Sequence, residues 1–232
     1  PSHITQRFSG SDVSGVYFTC TAAFLILTML VCLGKGDGVR RKYLIAASAG
    51  SAIWAGSVVL APWIGASGTA FSLLELVRTL AWIGFGYSLI DSPENIRARN
   101  TRRLAFYGIC GVCIAASLVG IFAYRFDLRP EFVSASQTAL GASRVMLTVV
   151  GLLVVENIIR NANTEKRWAL KYLCFGMGAV FAFDFLLYAD SVLFLRVNTA
   201  LFDARGFVNA LVAPMMAVSV SRSKTWDVDI HV

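Results

Sequence analysis

Gly15-Val-Tyr-Phe-Thr-Cys-Thr-Ala-Ala-Phe-Leu-Ile-Leu-Thr-Met-Leu-Val-Cys-Leu33 runs directly into Gly34-Lys-Gly-Asp-Gly-Val-Arg-Arg-Lys42. The first segment has no charge and is about the length needed to cross roughly 30 Å of hydrocarbon as a helix. The second is short, glycine-rich and basic, the composition of a loop that stays in the cytoplasm. This unit recurs along the chain. Apolar stretches fall at about 15–33, 43–63, 71–90, 104–124, 138–155, 168–188 and 202–220. The gaps between them alternate in charge. Lys35, Lys42, Lys166, Lys171 and Lys224 all lie in or beside alternate gaps or in the tail, as do Arg40, Arg41, Arg97, Arg99, Arg102, Arg103, Arg160, Arg167 and Arg222. The pattern predicts an all-α, seven-helix transmembrane bundle forming one domain, N-terminus outside and C-terminus cytoplasmic.

Composition agrees. Of the 232 residues 56% are hydrophobic and 15% charged, with a mean hydropathy of +0.65; soluble domains carry about 25% charged residues. Spans and short loops use nearly the whole chain, leaving no room for a separate soluble domain. The net charge of +7 sits in clusters flanking spans. It therefore reads as topology signal and anionic-lipid contact and argues against nucleic acid. A β-barrel is excluded because these segments are continuously apolar and too long for alternating strands; helices satisfy every backbone group within the segment.

Several local features are uninformative. Cys20, Cys32, Cys110, Cys113 and Cys174 all lie in apolar stretches, and Cys110-x-x-Cys113 has no His or Asp nearby, so small thiols in helix packing are expected rather than a disulfide or metal site. Glycines 34, 36 and 38 lack the strand and spacing of a phosphate loop. Residues 1–14 lack the features of a signal peptide, and the absence of an initial Met suggests trimming or processing. Ala52 and Gly56 are spaced for close helix approach, and Tyr43 and Trp63 bracket their span as interfacial aromatics.

Ionisable residues within spans cost roughly 2.5–3.5 kcal/mol each at mid-helix and are the place to seek function. Glu75 and Arg78 share a face of span 3, Arg144 lies in span 5, Asp184, Tyr188 and Asp190 in span 6, and Arg205 and Asn209 in span 7. At about 1.5 Å rise per residue, Asp184 is about 24 Å from the inner end of its span, Glu75, Arg78, Arg144, Arg205 and Asn209 lie about 5–10 Å below the outer edge, and Tyr188 and Asp190 are at that edge. All gather in the outer third of the bilayer. Two readings stand: a structural network, for which the balanced charge of Glu75, Asp184 and Asp190 against Arg78, Arg144 and Arg205 is suited, or the lining of a ligand cavity open to the outside.

Other chemistries find no residues. An ion path needs polar steps through the full thickness. A retinal Schiff base needs a lysine within a span, and membrane haem usually needs His ligands; His3 and His231 lie outside the spans. No catalytic motif is present, and no metal site or cofactor is expected in this segment.

The second half carries a more specific pattern: Val155-Glu-Asn-Ile-Ile-Arg-Asn161, Glu165-Lys-Arg-Trp-Ala-Leu-Lys-Tyr-Leu-Cys174, Phe183-Asp-Phe-Leu-Leu-Tyr-Ala-Asp190 with Arg196, Ala204-Arg-Gly-Phe-Val-Asn-Ala210, then Pro214, Ala217-Val-Ser219 and Trp226-Asp-Val-Asp-Ile230. Over about 155–230 this resembles the N-terminal membrane region of the PrsK family, the sensor histidine kinases of the exosortase/PEP-CTERM system. The first half matches only in hydropathy and span count. The resemblance implies a fragment of a longer chain, continuing into further helices, a GAF domain and a kinase core that uses ATP and Mg. It implies a PrsR-type response regulator as partner, control of exopolysaccharide and exosortase-linked genes, a homodimer, and the bacterial inner membrane as location. This segment itself would be no enzyme but the sensing and anchoring part. Glu156, Asn157, Arg160, Arg167, Trp168 and Lys171 lie on the inner side, where they are either a solvated, lipid-anchoring loop or a surface coupling the bundle to the kinase. A small transporter or channel is the alternative function, with Pro214 in span 7 as its one supporting break; a passive anchor and dimerisation module is a third.

Overall fold

Long uncharged runs have to satisfy their own backbone, and each of them folds as a helix. The computed structural model describes residues 11–34, 38–64, 68–90, 96–123, 130–162, 164–196 and 198–222. Among these, the chain forms seven helices and no strands: α1 (Ser11–Leu33), α2 (Val39–Ile64), α3 (Gly68–Ser88), α4 (Ile96–Ala123), α5 (Pro130–Asn161), α6 (Thr164–Phe194) and α7 (Thr199–Arg222). Six of them, all but α3, are long and apolar enough to cross a membrane. The chain thus has the character of a multi-pass membrane protein.

α3 departs from the expected third span for a physical reason. Its 21 residues include Glu75, Arg78 and Thr79, all buried against other helices together with Trp82 and Phe85. Its polarity faces protein rather than lipid, which lowers its hydropathy while leaving it inside the bundle.

The helices also overrun the expected boundaries. α5 starts at Pro130, eight residues before the expected span, with Pro in the first-turn position where its missing N–H costs nothing and Glu131 beside it. α6 continues to Phe194, and Leu195, at φ 49°, is left-handed and ends it. Asn198 then caps α7, its Oδ1 accepting from the Ala200 N–H at 3.1 Å. The expected inner loop 156–167 is mostly helix, since α5 ends at Asn161 and α6 begins at Thr164. α7 is continuous through Pro214.

Helices α1, α2, α3, α5, α6 and α7 close a ring in which α1 touches both α2 and α7, and α3 packs on α5. α4 lies outside that ring, on α5 with a smaller contact to α3. Several glycines allow close helix approaches, the tightest being Gly151 of α5, where a Cβ would come 2.5 Å from the Phe181 ring of α6. A Cβ on Gly120 of α4 would come 2.6 Å from Leu140 Cβ and 2.7 Å from the Ser136 carbonyl oxygen of α5. One on Gly206 of α7 would come 2.9 Å from Val16 of α1. Gly56, expected at a tight crossing, would meet only Thr21 at 3.6 Å, an ordinary contact. The interior holds Tyr17, Phe24, Trp54, Trp82, Phe85 and Phe181, while Leu30, Leu104, Val112, Leu153, Leu186 and Leu211 face outward. Apolar residues on both sides suit a bundle whose solvent is lipid.

Candidate functional site

Four helices bring the expected polar residues together. α3 supplies Glu75 and Arg78, α5 Arg144, α6 Asp184 and Tyr188, and α7 Arg205 and Asn209. All but Arg144 are buried, and Arg205 is fully so. Arg205 ties the site together: its Nε donates to Asp184 Oδ1 at 2.6 Å, its Nη2 to the Tyr188 hydroxyl at 2.9 Å, and its Nη1 to Glu75 Oε1. Arg78 donates to Asp184 Oδ2 and, at 2.9 Å, to Asn209 Oδ1. The Asn209 amide in turn donates to the Arg205 carbonyl at 2.8 Å. Arg144 pairs with Glu75 Oε2 at 3.1 Å.

Glu75 and Arg78 share a helix face but do not pair with each other; each reaches to another helix. Asp190 stays out of the network, half-buried, with one carboxylate oxygen lacking a hydrogen-bond partner. The ion network therefore holds Arg78, Arg144 and Arg205 against Glu75 and Asp184. Its sum is +1 instead of zero. Buried charges require this dense pairing, because removing one partner leaves another stranded in a low dielectric.

Two contributors were not read from the sequence. The guanidinium carbons of Arg78 and Arg205 lie 4.3 and 4.7 Å from the ring centroid of Trp54 on α2. Such cation–π contacts are worth about 2 kcal/mol when desolvated. Tyr17 of α1 packs edge-on against Trp54 at 5.6 Å and donates its hydroxyl to the Phe202 carbonyl at 2.7 Å. Trp54 has no charge and sits in the middle of an apolar stretch. Its only signal was an indole away from the membrane interface. Tyr17, near the start of its span, looks like an ordinary interfacial aromatic.

A cavity of about 600 Å³ opens beside the network at the end of the bundle away from the lysines. Phe71, Leu140, Leu187, Val192 and Phe202 form its walls, and Glu75, Arg144, Tyr188 and Arg205 its polar end. The extra turns of α5 and α6 supply Ser134, Gln137, Ser191 and Val192. Segments expected to be loop are thus part of the cavity wall. On the other side of Arg144 a space of about 10 Å³, bordered by Thr79 and Ser117, has room for about one water.

The lysine-bearing end is different. Glu156 and Arg160 form an exposed i,i+4 pair at 3.2 Å, worth a few tenths of a kcal/mol at most. Asn157 is exposed and donates to the Leu153 carbonyl at 2.9 Å, and Lys171 is exposed on α6. The side chains of Arg167 and Trp168 lie outside the described residues. Arg41 donates to the Val31 and Cys32 carbonyls at 2.9 and 2.7 Å, satisfying the open end of α1. The five cysteines are free thiols. Among the described residues no group of three or more His, Cys, Asp or Glu is placed to hold a metal.

Compared with known proteins, the chain matches no protein-family model, no curated protein and no solved structure. What the geometry defines is a class: an all-helical, multi-pass membrane bundle with a buried ion network beside a cavity.

Proposed function

We propose that this chain is the sensing and anchoring region of a membrane receptor, crossing a bacterial inner membrane seven times with its N-terminus outside. The observation that carries the reading is the cavity that ends on the buried network. A ligand entering it touches Glu75, Arg144, Tyr188 and Arg205, and through them α3, α5, α6 and α7 together. Binding that favours one arrangement of those charges shifts the packing of four helices, provided the two arrangements bind the ligand unequally. The lysine-bearing end then carries the output. By its resemblance to the PrsK family, that output is a cytoplasmic histidine kinase acting on a PrsR-type regulator, coupled through the face carrying Glu156, Asn157, Arg160, Arg167, Trp168 and Lys171.

The test uses the intact kinase-bearing protein in membranes. Asp184→Asn and Arg205→Ala should abolish signal-dependent phosphorylation. Normal folding with normal signal-dependent phosphorylation in both variants refutes the proposal. A solute flux assay in liposomes separates it from a transporter or channel, which would carry substrate without any kinase.

A further inference from the structure

The charges around the cavity are unequal, and within the ion network the inequality falls on Arg144. Arg205 uses all of its described partners within the network, and Arg78 is held by Asp184 and Asn209 through its two terminal nitrogens, its buried Nε being left without a hydrogen bond but sealed from the cavity at 1% exposure. Arg144 is different. A guanidinium carries five N–H donors, yet Arg144 donates no hydrogen bond among the described residues; its single ion pair is to Glu75, which Arg205 already occupies. The nitrogen that makes this pair, Nη2, is buried and close to Glu75 without the geometry of a hydrogen bond. It is also the member of the network that remains in part accessible, 21% against 0–4% for Glu75, Asp184, Arg78 and Arg205. Its guanidinium lies 5.5 Å from the Tyr188 ring centroid and borders the cavity.

Arg196, also on the cavity lining, adds a second cation with no carboxylate partner among the described residues, 5.6 Å from the Phe194 ring centroid. Set against Glu75, the only carboxylate among the described lining residues, Arg144, Arg196 and Arg205 give this described lining an excess of two positive charges. The apolar lining is Phe71, Leu140, Leu187, Val192 and Phe202. A volume of about 600 Å³ equals about twenty waters at roughly 30 Å³ each, within the usual range of small-molecule sites. Inorganic anions would leave the apolar walls unused, and neutral or cationic amphiphiles would leave the Arg144 donors unused.

We infer that this cavity binds a compact organic anion, a carboxylate or phosphate monoester on an apolar body, with the anionic group seated on Arg144. This rests on the receptor reading and adds the chemical class of its ligand. Buried donors that go unpaired discriminate strongly between ligands. A charge-assisted, two-pronged contact to a guanidinium is also among the stronger hydrogen bonds available. Such a ligand can reach the site from water or from the outer leaflet.

The test places the full chain in lipid nanodiscs and titrates it with octanoate, octyl phosphate, octylamine and octanol, following thermal unfolding. The two anions should stabilise saturably and the amine and alcohol should not. Arg144→Gln should weaken octanoate by about tenfold or more, Arg144→Lys should recover part of that loss, and Thr138→Trp, at an exposed position on the cavity lining, should block binding in an otherwise folded chain. Competition by oleate doped into the nanodisc bilayer identifies the membrane as source, and octanoate binding without that competition identifies the aqueous side; either supports the site. Saturable binding of octylamine or octanol, blocked by Thr138→Trp, overturns the anion assignment and leaves the receptor reading standing. Octanoate binding unchanged by Arg144→Gln, or no saturable binding of any probe, also overturns it. The receptor reading is judged separately by the phosphorylation assay.

Discussion

Replacing Asp184 by Asn removes one charge and almost no volume, so its effect isolates the electrostatics of the network. Asp184 is 1% exposed and accepts from two arginines at once, through Oδ2 from Arg78 and through Oδ1 from Arg205. The substitution raises the network from +1 to +2 and turns an acceptor into an amide N–H₂ group aimed at a guanidinium. The amide oxygen still accepts from one of the two arginines, so the other loses its bond: either Arg78 is left with Asn209, or Arg205 with Glu75 and Tyr188. Breaking a buried pair from one side costs about 3–5 kcal/mol in soluble proteins. Partners found by the unfolded chain within the membrane reduce such costs, so about 3 kcal/mol is expected here. For a domain of this size that corresponds to a fall in Tm of about 6–12 °C. The assay is thermal unfolding in nanodiscs with Asp190→Asn as control, since Asp190 has no partner in the network and its substitution should lie within about 0.5 kcal/mol of wild type. Equal effects at the two positions, or no loss for Asp184→Asn, would refute the reasoning that these charges hold the bundle together.

Other outcomes follow from the same geometry. Trp54→Leu, which takes the ring from under both guanidiniums, should destabilise by about 2 kcal/mol or more, and Trp54→Phe by less, in chemical unfolding. Gly120→Ala should cost about 1–3 kcal/mol by forcing α4 off α5, whereas Gly108→Ala, with nothing within 4 Å of its Cβ, should be neutral; the same melts compare them. In a cysteine-free background, a membrane-impermeant thiol reagent applied from outside should label Thr138→Cys and not Lys42→Cys. The reverse result overturns the proposed orientation.

The helices were legible because uncharged runs of span length have few ways to fold. Their ends were less so. Hydropathy marks where the chain becomes polar, while hydrogen bonding decides where the helix stops, and Pro130 and Leu195 extend α5 and α6 beyond the apolar core. α3 reads as a span by its composition only if its charges are forgiven, and the structure shows why they are tolerated: they face other helices. The gathering of Glu75, Arg78, Arg144, Asp184, Tyr188, Arg205 and Asn209 could be inferred from depth alone, since ionisable groups at one level in lipid must find each other. Their partners could not. Depth gives no rotation about the helix axis, so the expected balance with Asp190 failed, and the role of Trp54 and Tyr17 stayed hidden among apolar neighbours. A cavity open to the outside was one of the two readings, but its walls were hidden for a related reason, because they include turns of α5 and α6 that looked like loop.

The central claim is that a ligand beside the ion network changes how the four helices pack. Its most direct test is the distance between spin labels at Ala135 on α5 and Ala200 on α7, both exposed, measured by pulsed electron resonance in nanodiscs with and without saturating octanoate. A shifted distance distribution is expected in the wild-type background and none in Arg144→Gln. A distribution that stays the same while octanoate demonstrably binds would contradict it.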